Sequence, residues 1–138
     1  MAKLPQEPVD MYNDPEAVKT IATVDKQKNL NLVPLMSAAM LDDETIVFVD
    51  CDLGKTKANL EATKRATIAV HTLPMFGYQA KGMFGGWQDS GPVFDKYATR
   101  YKEMMAAKGV TVTPKAVGTL KIQEAYSISP VARGFKVA

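Results

Sequence analysis

The chain has 138 residues, 46% of them hydrophobic and 23% charged, and 17 Lys and Arg against 15 Asp and Glu leave a formal charge of +2. That length suits one domain with a sizeable core, and basic residues scattered rather than run together give no reason to expect a nucleic-acid or membrane partner. A single cysteine, Cys51, excludes an internal disulfide and a multi-cysteine zinc site, and with no long apolar run and no apolar signal segment at the start the expected compartment is the reducing cytoplasm.

Residues 1–13, with Pro5 and Pro8, read as an irregular arm. Asp14-Pro15-Glu16-Ala17-Val18 then sets a capping Asp before a proline and an acid, which predicts a short helix starting at Pro15. The β-rich run 20–24, the turn-forming 25–29 and the extended 30–37 predict a hairpin, and Pro34, which has no N–H for a ladder, places its strand at an edge or a bulge. Residues 44–50 predict a third strand. Asp52-Leu53-Gly54 turns the chain into a helix over 55–65 whose Thr56, Asn59, Leu60 and Thr63 share one face. A fourth strand over 67–72, a loop over 74–77 and a fifth strand over 78–87 follow, with Gly82, Gly85 and Gly86 marking bulges or close backbone approach. Ser90-Gly91-Pro92 opens a second long helix with Val93, Phe94, Tyr97, Tyr101, Met104 and Met105 as its apolar stripe and Gly109 as its end. A sixth strand covers 115–125, and 126–138 is a C-terminal tail containing Pro130 and Gly134. Six short strands that do not alternate with helices as βαβ units predict a mainly antiparallel β-barrel with a few α-helices, in one domain spanning 1–138.

The chemistry is bounded by what is scarce. The one histidine, His71, lies in a β-branched run and reads as a packed or solvated strand residue, and none of Ser37, Ser90, Ser127 and Ser129 sits in a G-x-S-x-G elbow. No catalytic side chain is assigned and no metal site is expected, so any catalysis would be carried by a cofactor. Gly54-Lys55-Thr56 carries the last three letters of a phosphate loop, but the pattern G-x-x-x-x-G-K-[ST] requires a glycine where this chain has Val49. Two readings remain. A monoester phosphate could be met at the helix start by backbone amides, the Lys55 ammonium and the Thr56 hydroxyl; alternatively Gly54 makes a turn, Thr56 caps the helix, and Lys55 and Lys57 are solvated. The Asp52 carboxylate weighs against an anion here.

The surrounding segments alter that balance. Thr20-Ile21-Ala22-Thr23-Val24-Asp25, Asn31-Leu32-Val33-Pro34, Asp43-Glu44-Thr45-Ile46-Val47-Phe48-Val49-Asp50, Gly54-Lys55-Thr56-Lys57-Ala58-Asn59-Leu60 and Gly77-Tyr78-Gln79-Ala80-Lys81-Gly82 follow in that order. With Gly91-Pro92-Val93-Phe94 opening the later helix, this order resembles the pyridoxamine 5′-phosphate oxidase-like family of FMN-binding split barrels, and most its small FMN-binding proteins, over residues 15–125. The resemblance implies a six-stranded antiparallel split barrel that forms a homodimer, with FMN in each of two clefts at the subunit interface. It places the FMN phosphate on Lys55 and Thr56, with Asn59 one helical turn on. It lays the ribityl chain and isoalloxazine ring along Val33, Pro34, Leu35, Met36 and Ser37, beside Val49 and Asp50, with Gln79 and Lys81 as polar contacts from the fifth strand. Leu35, Met36, Phe76 and Met83 are the residues expected at the subunit contact.

The arginine that larger oxidases set beside their lysine is absent, as is a C-terminal Trp and Arg pair, so the expectation is an FMN-dependent oxidoreductase or electron carrier rather than a pyridoxamine phosphate oxidase. Its small-molecule or electron-transfer partner is left open. The alternatives are a non-catalytic flavin storage or sensing module, and a split-barrel reductase using a deazaflavin.

Overall fold

The computed structural model describes residues 2–73 and 75–138; Pro74, in the loop expected over 74–77, lies outside the described residues. Three helices, α1 (Gln6–Asn13), α2 (Lys55–Thr63) and α3 (Pro92–Ala106), accompany seven strands: β1 (Val18–Val24), β2 (Leu30–Pro34), β3 (Ala39–Asp42), β4 (Thr45–Asp50), β5 (Arg65–Thr72), β6 (Phe76–Gln88) and β7 (Ala116–Ser127). All pairings are antiparallel, in the order β2, β1, β5, β6, β7, β4, β3. The sheet curls around a core in which Ile21, Ile46, Phe48, Ile68, Leu120 and Ile122 are fully buried, and it stays open between its edge strands β2 and β3.

Seven strands replace the six expected. The addition is β3, whose four residues Ala-Met-Leu-Asp contain no β-branched side chain and are held as a strand by pairing with β4 rather than by propensity. The helix expected at Pro15 is also absent. Asp14 caps a turn instead, its Oδ1 accepting the Glu16 N–H at 2.9 Å and its carbonyl accepting the Ala17 N–H at 3.2 Å. From there the chain enters β1, where Val18 already pairs with His71 of β5. The helix starts nine residues earlier, in what composition made an irregular arm: Pro8 falls in the first turn of α1, where its missing N–H has no intrahelical partner to lose. The other assignments hold within a few residues, including Pro34 on an edge strand and register shifts in β6 at Gly82 and between Phe84 and Trp87.

α1 plugs one end of the barrel. Tyr12 is fully buried and its hydroxyl donates to the Ile68 carbonyl, while the Leu4 N–H reaches the Asp43 carbonyl at 2.8 Å. The helix's C-terminal carbonyls meet two cations: Lys19 Nζ donates to the Asp14 carbonyl at 2.6 Å and the Arg100 guanidinium to the Asn13 carbonyl at 3.1 Å, the placement a helix dipole favours. The expected tail folds back on β7 through a Tyr126–Lys136 bridge and the Val137 N–H to the Ala125 carbonyl at 2.9 Å. Among the described residues no helix is long and apolar enough to cross a membrane.

Two predictions follow from this packing. Trp87 meets Phe48 and Phe84 edge-to-face, and a Cβ at Gly118 would lie 2.7 Å from the Trp87 ring and 2.9 Å from Phe48. Gly118→Ala is expected to lower the unfolding free energy by about 1–3 kcal/mol in denaturant titration; an unchanged midpoint would refute this packing. Lys19 is fully buried without a carboxylate at contact distance, and burial, then Arg100 and Lys108, outweigh Asp14 and push its ammonium down from 10.5 to about 8. Between those two values the unfolded chain holds the proton more tightly, so the charged group costs stability below about pH 8 and that cost is relieved as pH rises. Burial raises the Tyr12 phenol and the Cys51 thiol and acts in the opposite sense at the alkaline end, so the measurable quantity is the unfolding free energy of wild type minus that of Lys19→Met. It should climb from pH 8 to 10, by at most about 1.4 kcal/mol per pH unit, and a flat difference would contradict the assignment.

Candidate functional site

Two hollows stand out among the described residues. One, of about 200 Å³, is lined by Pro34, Leu35, Met36, Ser37, Val49, Cys51, Asp52, Leu53 and Tyr101. It therefore joins the end of β2, the loop to β3, the end of β4 and the turn into α2, with α3 supplying Tyr101. The other, of about 350 Å³, lies over β1, β5, β6 and β7, with Arg65, Thr67, Lys81, Gln123 and Glu124 among its walls.

The first hollow gathers five of the residues expected from the sequence: Pro34, Leu35, Met36, Ser37 and Val49. Its shape depends on two side chains that bond within the chain. Ser37 Oγ accepts the Val49 N–H at 2.9 Å and pins the β2–β3 loop to β4. Asp50 is almost fully buried; its Oδ1 accepts the Leu53 N–H at 3.1 Å and its Oδ2 pairs with Lys57 at 2.9 Å, which fixes the turn Cys51–Leu53. Lys57 also sits 5.4 Å from the Trp87 ring centroid, and the Asp50 hydrogen bond raises its ammonium. The Asp50 carboxylate is thus occupied within the chain. The Met36 and Ser37 N–H groups are taken by no partner among the described residues, which leaves backbone donors at the loop.

α2 is anchored on the far side of the same turn, and the residues expected to hold phosphate divide there. Lys55 is exposed at the first helical position after Gly54, whose φ of +51° suits a residue without a side chain. Thr56 is 0% exposed and its Oγ1 accepts from Asn31 Nδ2 at 3.1 Å; Asn59 is 4% exposed and its Nδ2 donates to Thr23 Oγ1 at 3.1 Å. Together with Thr63, which donates to the Val24 carbonyl at 2.9 Å, they seat the helix on β1 and β2. Val33 is half-buried on β2 beside the hollow but does not line it.

Gln79 and Lys81 lie elsewhere, on the outer face of β6 opposite Ala69 and Thr67. Lys81 belongs to the larger hollow, 5.7 Å from the Tyr126 ring centroid. Of the residues expected at a subunit contact, Leu35 is core, Met36 and Met83 are half-buried and Phe76 is exposed. His71 is exposed on β5. The residues missed by sequence reasoning are Asn31, Cys51, Leu53 and Tyr101: Asn31 and Leu53 stood inside quoted stretches without a role of their own, Cys51 fell beside one, and Tyr101 was absorbed into the apolar stripe of α3.

No protein-family model matches the chain, and no curated protein matches it. Solved structures do. HupZ of Group A Streptococcus is 24% identical and superposes with a TM-score of 0.77, covering 98% of this chain and 99% of its own. An FMN-binding protein from Syntrophomonas wolfei subsp. wolfei is 20% identical, TM-score 0.76, over 90% of this chain and 88% of that one. A protein described as a putative pyridoxamine 5′-phosphate oxidase, from Lactobacillus delbrueckii, is 20% identical, TM-score 0.67, over 90% and 93%. At these identities the likeness establishes the fold, and the chain is a split barrel of the kind seen in FMN-binding and pyridoxamine 5′-phosphate oxidase-like proteins.

Proposed function

We propose that this protein binds FMN at the hollow formed by Pro34–Ser37, Val49 and the turn Cys51–Leu53, that two copies enclose the cofactor, and that the pair works as an oxidoreductase or electron carrier. The observation that carries this reading is the coincidence between the hollow and the stretch that the family resemblance assigns to the flavin. Its chemistry suits the cofactor: Leu35, Met36, Val49, Leu53 and Tyr101 offer apolar and aromatic surface to a tricyclic ring, and the loop offers backbone N–H donors to its polar edge. Lys55 is the exposed cation beside it, at a helix start, for the phosphate. Thr56 and Asn59 act by holding α2 in place.

A hollow of about 200 Å³ is smaller than the roughly 300–1,000 Å³ of sites that bury a ligand of this size, so the ring needs a further wall. Edge strand β2 supports a second copy as that wall, because Leu30 and Leu32 are 84% and 68% exposed on it. When bound, the flavin supplies the hydride or electron transfer; the protein orients the ring and excludes water.

Lys55→Ala is expected to weaken FMN by about 1.5–3 kcal/mol, or about 10- to 150-fold in Kd, and to leave riboflavin binding unchanged. Thr56→Val and Asn59→Ala should instead lower thermal stability and weaken both ligands together. Equal wild-type affinity for FMN and riboflavin would end the phosphate assignment.

Cys51 gives a second test. Its thiol lines the hollow and is held above its ordinary value by burial and then by Asp50, so alkylation at pH 8 should be slow in the free protein and slower still when FMN is present. Alkylation at an unaltered rate with FMN bound would move the flavin to the hollow over β5 and β6. Mass spectrometry of the cofactor released on denaturation separates FMN from a deazaflavin.

A further inference from the structure

We infer that Tyr101 is a further binding residue of the flavin site, the aromatic wall that α3 presents against the face of the ring opposite the β2–β3 loop. The inference rests on the flavin reading above and adds a residue to it that neither the resemblance nor the phosphate motif assigns.

Tyr101 is the one aromatic residue among those lining the smaller hollow, and the one that comes from α3; the others belong to β2, β4 and the loops at their ends. It is half-buried, packed against the small core cluster of Ala39, Val47, Val49, Tyr97 and Val117, so its ring is supported from behind. Tyr97, one helical turn earlier, is buried and donates its hydroxyl to the Met40 carbonyl at 2.9 Å, which fixes α3 on β3. The ring of Tyr101 is therefore carried by a helix anchored to the sheet rather than by a loop. A supported aromatic surface across a shallow hollow from Leu35 and Met36 matches a flat, conjugated, electron-poor ring better than it matches a sugar or an aliphatic acid.

A flavin held against a phenol loses its fluorescence, so the emission of the bound cofactor reports the contact directly. The experiment measures FMN Kd and bound-state emission for wild type, Tyr101→Phe and Tyr101→Leu, with riboflavin in parallel. Tyr101→Leu keeps apolar packing on Val49 and Val117, and its fold is checked by thermal melt. The expected result is quenched emission in wild type, a gain of emission with nearly unchanged affinity in Tyr101→Phe, which keeps the ring but not the electron-rich phenol, and in Tyr101→Leu a gain of emission with affinity weaker by about 2- to 12-fold for FMN and riboflavin alike. That last feature separates it from Lys55→Ala, which discriminates between the two ligands. Flavin bound to a folded Tyr101→Leu with wild-type affinity and emission would overturn the inference alone, and absence of flavin binding in wild type would overturn both it and the flavin reading.

Discussion

The Asp50 carboxylate holds together everything the site consists of. A carboxylate almost wholly removed from water is costly unless each oxygen finds a donor. Here one oxygen takes the Leu53 N–H and the other takes Lys57. The first contact bends the chain sharply at the end of β4; the second ties the first turn of α2 to the strand it has just left. The Asp50 carbonyl in turn accepts the Lys115 N–H at 2.8 Å, joining this corner to the start of β7. One side chain thus sets the floor of the hollow, the direction of α2 and the exposure of Lys55. Both its oxygens bond within the chain, at a position the resemblance sets beside the cofactor.

The same division runs through α2. It has no apolar stripe, yet it is well seated, because it packs with hydroxyl and amide side chains that bond to β1 and β2. The period that put Thr56, Asn59, Leu60 and Thr63 on one face was visible in the residues. Which way that face points was not, since polar side chains at helical spacing suit a ligand-facing surface as well as a sheet-facing one, and only the tertiary hydrogen bonds distinguish them.

Much of the fold was legible for a physical reason. Strands β1, β4, β5 and β7 carry β-branched residues, β1 and β5 alternate in burial while β4 is buried throughout, and α3 has a proline start, an aromatic stripe and a glycine end. What escaped was decided by long-range pairing or by a residue acting against its average. β3 has no propensity of its own and exists through β4. Asp14-Pro15 has every mark of a helix start and makes a turn because β1 begins three residues later. Pro8 looked like a breaker and sits where a helix tolerates it. At the site, the segment Pro34–Ser37 and Val49 came from a resemblance of order and spacing, whereas Tyr101 could not be separated from core positions, because an aromatic at helical spacing carries no sign of what its far edge faces.

The order of the strands has a further consequence, for how the chain acquires its shape. β7 is the only link between the β2, β1, β5, β6 side of the sheet and the β4–β3 hairpin among the described residues, and it pairs Thr45 with Lys121 and Asp50 with Ala116 across about half of the chain. Until residues up to about 127 are available, Ile46 and Phe48 have a strand but no sheet to join. Contacts so distant in sequence close slowly, because the loop entropy must be lost before the burial compensates it. During synthesis this chain therefore carries an unpaired, apolar hairpin from the emergence of Asp50 until that of β7, a period in which assistance or a low local concentration decides whether it folds or associates.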